Sequence, residues 1–136
     1  MEDNKQLYSA EDLMGKGGKF LILTAQESTI FCREKFTEEQ NMIASSAIDY
    51  AKNQLKPISD KLNNVLDEDL TRKIFLEVGE LGFLGVDMPE KFGGLELDKT
   101  TSSIIVDCLS SGESASIMVT ISAHTGIATL PIIWYG

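Results

Sequence analysis

The strongest constraint on this chain is a series of segments whose apolar residues return every three or four positions, each opened by a residue able to cap a helix. Thr37-Glu38-Glu39-Gln40 has the Ser/Thr-x-x-Glu/Gln form of a capping box, in which side chains satisfy the free amides of a helix start. Phe36 stands where a hydrophobic staple would precede it. Met42, Ile43, Ala47, Ile48, Ala51 and Leu55 follow at helical steps and make one apolar face. Lys56-Pro57 is expected to end that helix, because a residue before proline is pushed out of α geometry. Asp67-Glu68-Asp69 places acids on the positive first turn of a second helix, whose face is Leu70, Ile74, Phe75, Val78 and Leu81 and which fades at Gly82. Asp98 is placed to cap a third helix, through about Ser110, that buries Ile104, Ile105, Cys108 and Leu109. Gly112-Glu113-Ser114 breaks it, and Ser114 opens a fourth helix to about Gly126. The apolar residues 128–135 start or complete one more. The fold predicted is an all-α helical bundle with one long loop containing glycine and proline, residues 82–95.

With 136 residues the chain has the length of one compact domain, and the patterning divides it into an N-terminal extension, 1–36, and a helical domain, 37–136. Its 21 acidic and 12 basic side chains leave a net charge of −9, a field that repels phosphate backbones and anionic lipid heads. Nucleic acid is therefore not an expected partner. Cys32 and Cys108 read as two reduced thiols. The early apolar run Phe20-Leu21-Ile22-Leu23 is far short of a membrane span, and a soluble, cytoplasmic chain is expected. Residues 129–136 carry no charge and hold Trp134, the single tryptophan. Natural termini are usually solvated, so this one is expected to be a cut inside a longer chain, in or just after a helix.

Few residues invite a chemical role. Gly15-Lys16-Gly17-Gly18-Lys19 lacks the spacing of a phosphate-binding loop and reads as a flexible turn. His124 is the single histidine, and with two distant cysteines it assembles no metal site. No serine sits in a G-x-S-x-G turn. Glu38, Glu39, Asp67, Glu68 and Asp69 are explained by helix starts, so no catalytic base is nominated. Val119, Ala123 and Ile127, with Thr120 beside them, form a stripe at four-residue steps. Such a stripe serves either as a helix–helix contact or as one wall of an apolar groove, where Ala123 leaves room for a ligand chain.

Gly79-Glu80-Leu81-Gly82-Phe83-Leu84-Gly85-Val86-Asp87-Met88-Pro89-Glu90-Lys91-Phe92-Gly93-Gly94-Leu95 resembles the G-x-x-G-x-x-x-P-E-x-[YF]-G-G-L block of acyl-CoA dehydrogenases. Phe36-Thr37-Glu38-Glu39-Gln40 is similar to the opening of that family's first helix. Ser114-Ala115-Ser116, Ser122-Ala123-His124-Thr125-Gly126-Ile127 and Pro131-Ile132-Ile133-Trp134-Tyr135-Gly136 resemble its last N-terminal-domain helices, in the same order, over residues 36–136. The resemblance implies the N-terminal helical domain of an enzyme that removes the α-proton of a fatty acyl-CoA with a glutamate while FAD accepts a hydride from the β-carbon, in β-oxidation. It implies a β-sheet domain and a C-terminal bundle as partners in the same chain, homo-oligomers, and an electron-transfer flavoprotein or similar acceptor. Neither the base nor the flavin motifs match anything here, so this part alone is expected to be inactive and to hold no FAD. Aligning 131–136 with the family implies that Val119, Thr120, Ala123 and Ile127 face the acyl chain. Small residues there, with Gly17-Gly18-Lys19-Phe20-Leu21-Ile22, look most like the long- and very-long-chain branch.

Two other readings stay open on the sequence: a stand-alone helical binding or scaffold module, and a relative using the fold for another acyl-CoA reaction. The apolar surface of 119–127 and 130–135 is expected to drive self-association.

Overall fold

The computed structural model describes residues 17–18 and 32–136, and every regular element among them is helical. Two compact units divide the chain, Met1–Phe36 and Thr37–Gly136. Within the first, Gly17 and Gly18 lie in a short 3-10 turn with Gly17 at φ +56°, and Arg33–Lys35 form another such turn. The rest of the Gly15–Lys19 turn and the 20–23 run lie outside the described residues.

The second unit is the bundle. Helix α1, Glu38–Tyr50, opens on the expected capping box: the Gln40 amide donates to Thr37 Oγ1 and the Thr37 amide to Gln40 Oε1, both at 3.1 Å. The helical path does not stop at Lys56-Pro57. It widens into a π turn over Ala51–Leu55, tightens into a 3-10 turn over Lys56–Ile58, and continues as α2, Ser59–Asn64. Pro57 is accepted because it sits at the start of the tight turn, where a backbone donor is not needed, and Lys56 keeps helical angles of φ −58° and ψ −42°. Ala51 and Leu55 are fully buried against this turn's inner side, whereas Met42, expected on the apolar face, is 71% exposed.

Helix α3, Glu68–Glu80, is capped by Asp67, whose Oδ1 accepts from the Leu70 amide at 2.9 Å. Ile74 and Val78 are buried; Leu81 is not, since it already belongs to the helix end. Gly82 at φ +78° closes that end as a Schellman turn, with Phe83 N–H to the Val78 carbonyl and Gly82 N–H to the Gly79 carbonyl. The following loop is fastened by its own backbone: the Leu95, Glu96 and Leu97 amides donate to the Gly85, Met88 and Val86 carbonyls at 2.8–2.9 Å. Gly94 is required there, because a Cβ would collide with the Met88 carbonyl.

Helix α4, Lys99–Leu109, is capped by Asp98 and buries Ile104, Ile105, Cys108 and Leu109 as expected. It packs on α1 and on α5, Ala115–Ser122. Ser114 takes the N-cap position of α5 without a side-chain cap bond; its hydroxyl meets Ser116 Oγ at 3.3 Å instead. The helix does not end at Gly126. A second π turn, Ala123–Ala128, leads directly into α6, Thr129–Tyr135. The whole run Ala115–Tyr135, 21 residues that include an 18-residue stretch of mean hydropathy 1.5, is long and apolar enough by length and composition to cross a membrane. Its inner side, Ile117, Ile121 and Thr125, is buried in the bundle.

Candidate functional site

Ile117, Ile121 and Thr125 hold the α5 run to the bundle, so residues offset from them by about half a turn must face out. Val119 and Ile127 do so at 68% and 77% exposure. Thr120 is exposed with its hydroxyl donating to the Ser116 carbonyl at 2.8 Å, and Ala123 is half-buried. The proposed stripe is thus an open face on the outer side of one continuous helical run, not a helix–helix contact among the described residues. Further along, Ile132, Trp134 and Tyr135 are 69%, 65% and 87% exposed, and the two aromatic rings meet edge to face at 6.5 Å. This is a larger exposed apolar surface than scattered surface side chains account for.

Two hollows adjoin the glycine-rich loop. One, of about 220 Å³, is walled by Met88 and Phe92 of the loop and by Thr129, Ile132 and Ile133 of α6. Its neighbour, of about 230 Å³, shares Met88 and is closed by Leu84, Leu95 and His124. His124 is thus a half-buried wall of this hollow. The sequence placed the loop motif and the apolar tail some forty positions apart with no spacing that joins them, and only the fold brings Met88 and Ile132 to one hollow. A third hollow, of about 380 Å³, lies between α4 and the second π turn, with Lys99, Ser102, Val106, Asp107, Ser122 and Thr125 among its walls. Lys99 does not point freely into it: its Nζ is 2.7 Å from Asp87 Oδ2 and 3.3 Å from the Thr125 carbonyl.

The electrostatics are those of helix ends. The Thr101 hydroxyl and amide beside Asp98 hold its carboxyl below the usual carboxylate range, and the Lys61 ammonium with the Leu70 amide does the same for Asp67. Burial, then the hydrogen bond to Glu77 at 2.8 Å, pushes the Tyr50 phenol above its ordinary value. That pair links α1 to α3 and had no local sequence signal. No group of three His, Cys, Asp or Glu side chains that could hold a metal occurs among the described residues.

The family model for the acyl-CoA dehydrogenase N-terminal domain matches residues 37–136. A probable acyl-CoA dehydrogenase of Bacillus subtilis is 40% identical over 121 residues, 89% of this chain and 20% of that protein. The mitochondrial isobutyryl-CoA dehydrogenase of Dictyostelium discoideum is 35% identical over 69% of this chain and 22% of its own. A crystal structure of an acyl-CoA dehydrogenase complexed with FAD from Bacillus anthracis superposes with a TM-score of 0.76 at 36% identity, over 85% of this chain and 19% of that one. The chain spans about a fifth of the length of these relatives.

Proposed function

Because the chain belongs to the acyl-CoA dehydrogenase N-terminal domain family, we propose that it serves an FAD-dependent enzyme that introduces an α,β double bond into fatty acyl-CoA thioesters, and that its own part is one wall of the acyl-chain pocket. The observation that carries this is the outward apolar stripe: Val119 and Ile127 stand open on a run whose inner face is buried, with the small Ala123 between them. A bare apolar face of this kind is the shape of a half-pocket, completed by surface from outside residues 37–136.

The described residues do not fit a flavin dinucleotide by themselves. The hollows are small, two adjoin the glycine-rich loop, and the basic side chain at the third, Lys99, is committed to Asp87. FAD and the base that removes the α-proton belong, in this reading, to the β-sheet and C-terminal domains, which would also cover the face of Ile132, Trp134 and Tyr135. What residues 119–127 do is exclude water from the alkyl chain and align it, so that its burial contributes binding in proportion to the area covered. Homo-oligomers and an electron-transfer flavoprotein as acceptor are part of the same proposal.

The finer assignment to long- and very-long-chain substrates rests on the small residues around Ala123 and on the likeness of Gly17-Gly18-Lys19-Phe20-Leu21-Ile22 to that branch; the relative named above for its substrate takes isobutyryl-CoA, a short branched thioester. Dye reduction by the whole FAD-loaded enzyme, run from butyryl- to palmitoyl-CoA, tests both levels. Turnover of any of these thioesters is the expected result, and none across the series would overturn the proposal. A preference for butyryl- to octanoyl-CoA would overturn the long-chain assignment alone.

A further inference from the structure

The run that carries the proposed wall is not a uniform helix. Over Ala123–Ala128 it is wound as a π turn, and the Thr129 amide donates to the His124 carbonyl five residues back rather than four. A π turn holds one residue more than an α-helix of the same rise. Every side chain beyond it is therefore turned by about 100° from where an unbroken helix would put it. The direction of Ile127 relative to Val119 is set at this turn.

Such turns are rare and persist where other groups hold them. Thr129 braces this one. Its hydroxyl, part-buried, donates at 3.0 Å to the His124 carbonyl and lies 3.3 Å from the Thr125 carbonyl, so one side chain reaches two carbonyls of the widened turn. At Gly126, in the middle of the turn, an added Cβ would meet nothing within 4 Å, so no side-chain contact clamps the turn there.

We propose that Thr129 is a positioning residue for the acyl-facing wall: its hydroxyl holds the π turn that orients Ile127 relative to Val119, and so sets which acyl chains the wall accepts. This rests on the acyl-CoA reading above. Thr129 touches no reacting atom in it; it acts through the backbone of His124 and Thr125.

The test is a chain-length profile of the whole FAD-loaded enzyme with Thr129→Val, which keeps the shape and removes the hydroxyl, and Thr129→Ser, which keeps the hydroxyl. For Thr129→Val, KM should rise by about fivefold, the size of one net hydrogen bond, for the thioesters whose chains reach the wall. It should stay near the wild-type value for the shortest substrate, with kcat unchanged, and Thr129→Ser should restore the wild-type profile. If Thr129→Val does not fold, Thr129→Ala carries the same comparison. A Thr129→Val profile parallel to wild type, an equal loss at every chain length, or failure of Thr129→Ser to restore it would overturn the inference. Those results require an active wild type; a wild type inactive on the entire series would instead overturn the acyl-CoA reading, and this inference with it.

Discussion

The Gln40 side chain donates a buried 3.3 Å hydrogen bond to the Thr101 hydroxyl, 61 positions away, and so ties the first turn of α1 to the first turn of α4. Each partner is also a capping residue's neighbour. Gln40 completes the box with Thr37, and the Thr101 hydroxyl donates at 2.7 Å to the Asp98 carboxylate. Two local devices for starting helices are thereby joined into one network at the end of the bundle.

Breaking that network tests whether it acts as a unit. Gln40→Leu and Thr101→Val should each lower stability by about 1–2 kcal/mol, since each removes hydrogen bonds from a buried site. The double variant should lose less than the sum, by roughly 0.5 kcal/mol or more, as for residues in contact. Urea unfolding of the chain measures all three; strict additivity would show that the two caps act separately.

The acid limb of stability follows from the carboxylates. Asp98 and Asp67 have folded pKa values below their unfolded ones, so their stabilisation is present above about pH 4 and lost as pH falls through the folded values. Asp98→Asn should flatten the decline in melting temperature below about pH 4. An unchanged acid limb would show that the Thr101 bonds contribute nothing to it.

At the other end of the scale, the Tyr50 phenol is held protonated by burial and by Glu77, so it keeps its proton where the unfolded chain gives it up. Stability contributed by this group is complete below about pH 10 and declines above it. Tyr50→Phe should remove that alkaline decline, read from melting curves across the range. A wild type and a variant with the same alkaline slope would exclude Tyr50 as the cause.

Two glycines should respond in opposite ways to alanine. At Gly112 an added Cβ would lie 2.6 Å from Leu55 Cβ, deep in the core, and Gly112→Ala should cost about 1–3 kcal/mol as overpacking. At Gly126 the space is open, and Gly126→Ala should be neutral or stabilise by up to about 1 kcal/mol through helix propensity. Thermal denaturation of both variants decides, and a destabilised Gly126→Ala would point to a need for glycine in the π turn itself.

The open apolar face should make the 136-residue chain self-associate. Ile127→Lys or Trp134→Lys should shift sedimentation velocity profiles toward monomer, since a charge on the face opposes burial. A wild-type chain that stays monomeric at high concentration would contradict this.

Much of the fold was legible because its signals are local. Thr37, Asp67 and Asp98 each satisfy amides within three residues, so the side chain that starts the helix is adjacent to the helix it starts. Pro57 misled because its local preference was overridden: the π turn before it and the tight turn around it carry the chain on to α2. Met42 and Leu81 fit the apolar period yet lie exposed, since period fixes a side and not what covers it. The stripe of Val119, Ala123 and Ile127 could be seen as spacing, but the π turn within it, with the Thr129 hydroxyl on the His124 carbonyl, is not encoded by spacing. The hollow between Met88 and Ile132 had no trace at all, because it joins distant segments that carry no shared pattern.

The loop that closes on itself through the Leu95, Glu96 and Leu97 amides has a further consequence. A protease must draw an extended stretch of backbone into its cleft, and here the stretch is already spoken for by its own carbonyls. Residues 85–97 should therefore survive limited digestion although the loop is long, rich in glycine and at the surface. In the life of the protein, the longest irregular segment among the described residues would be among the last of them to be cut.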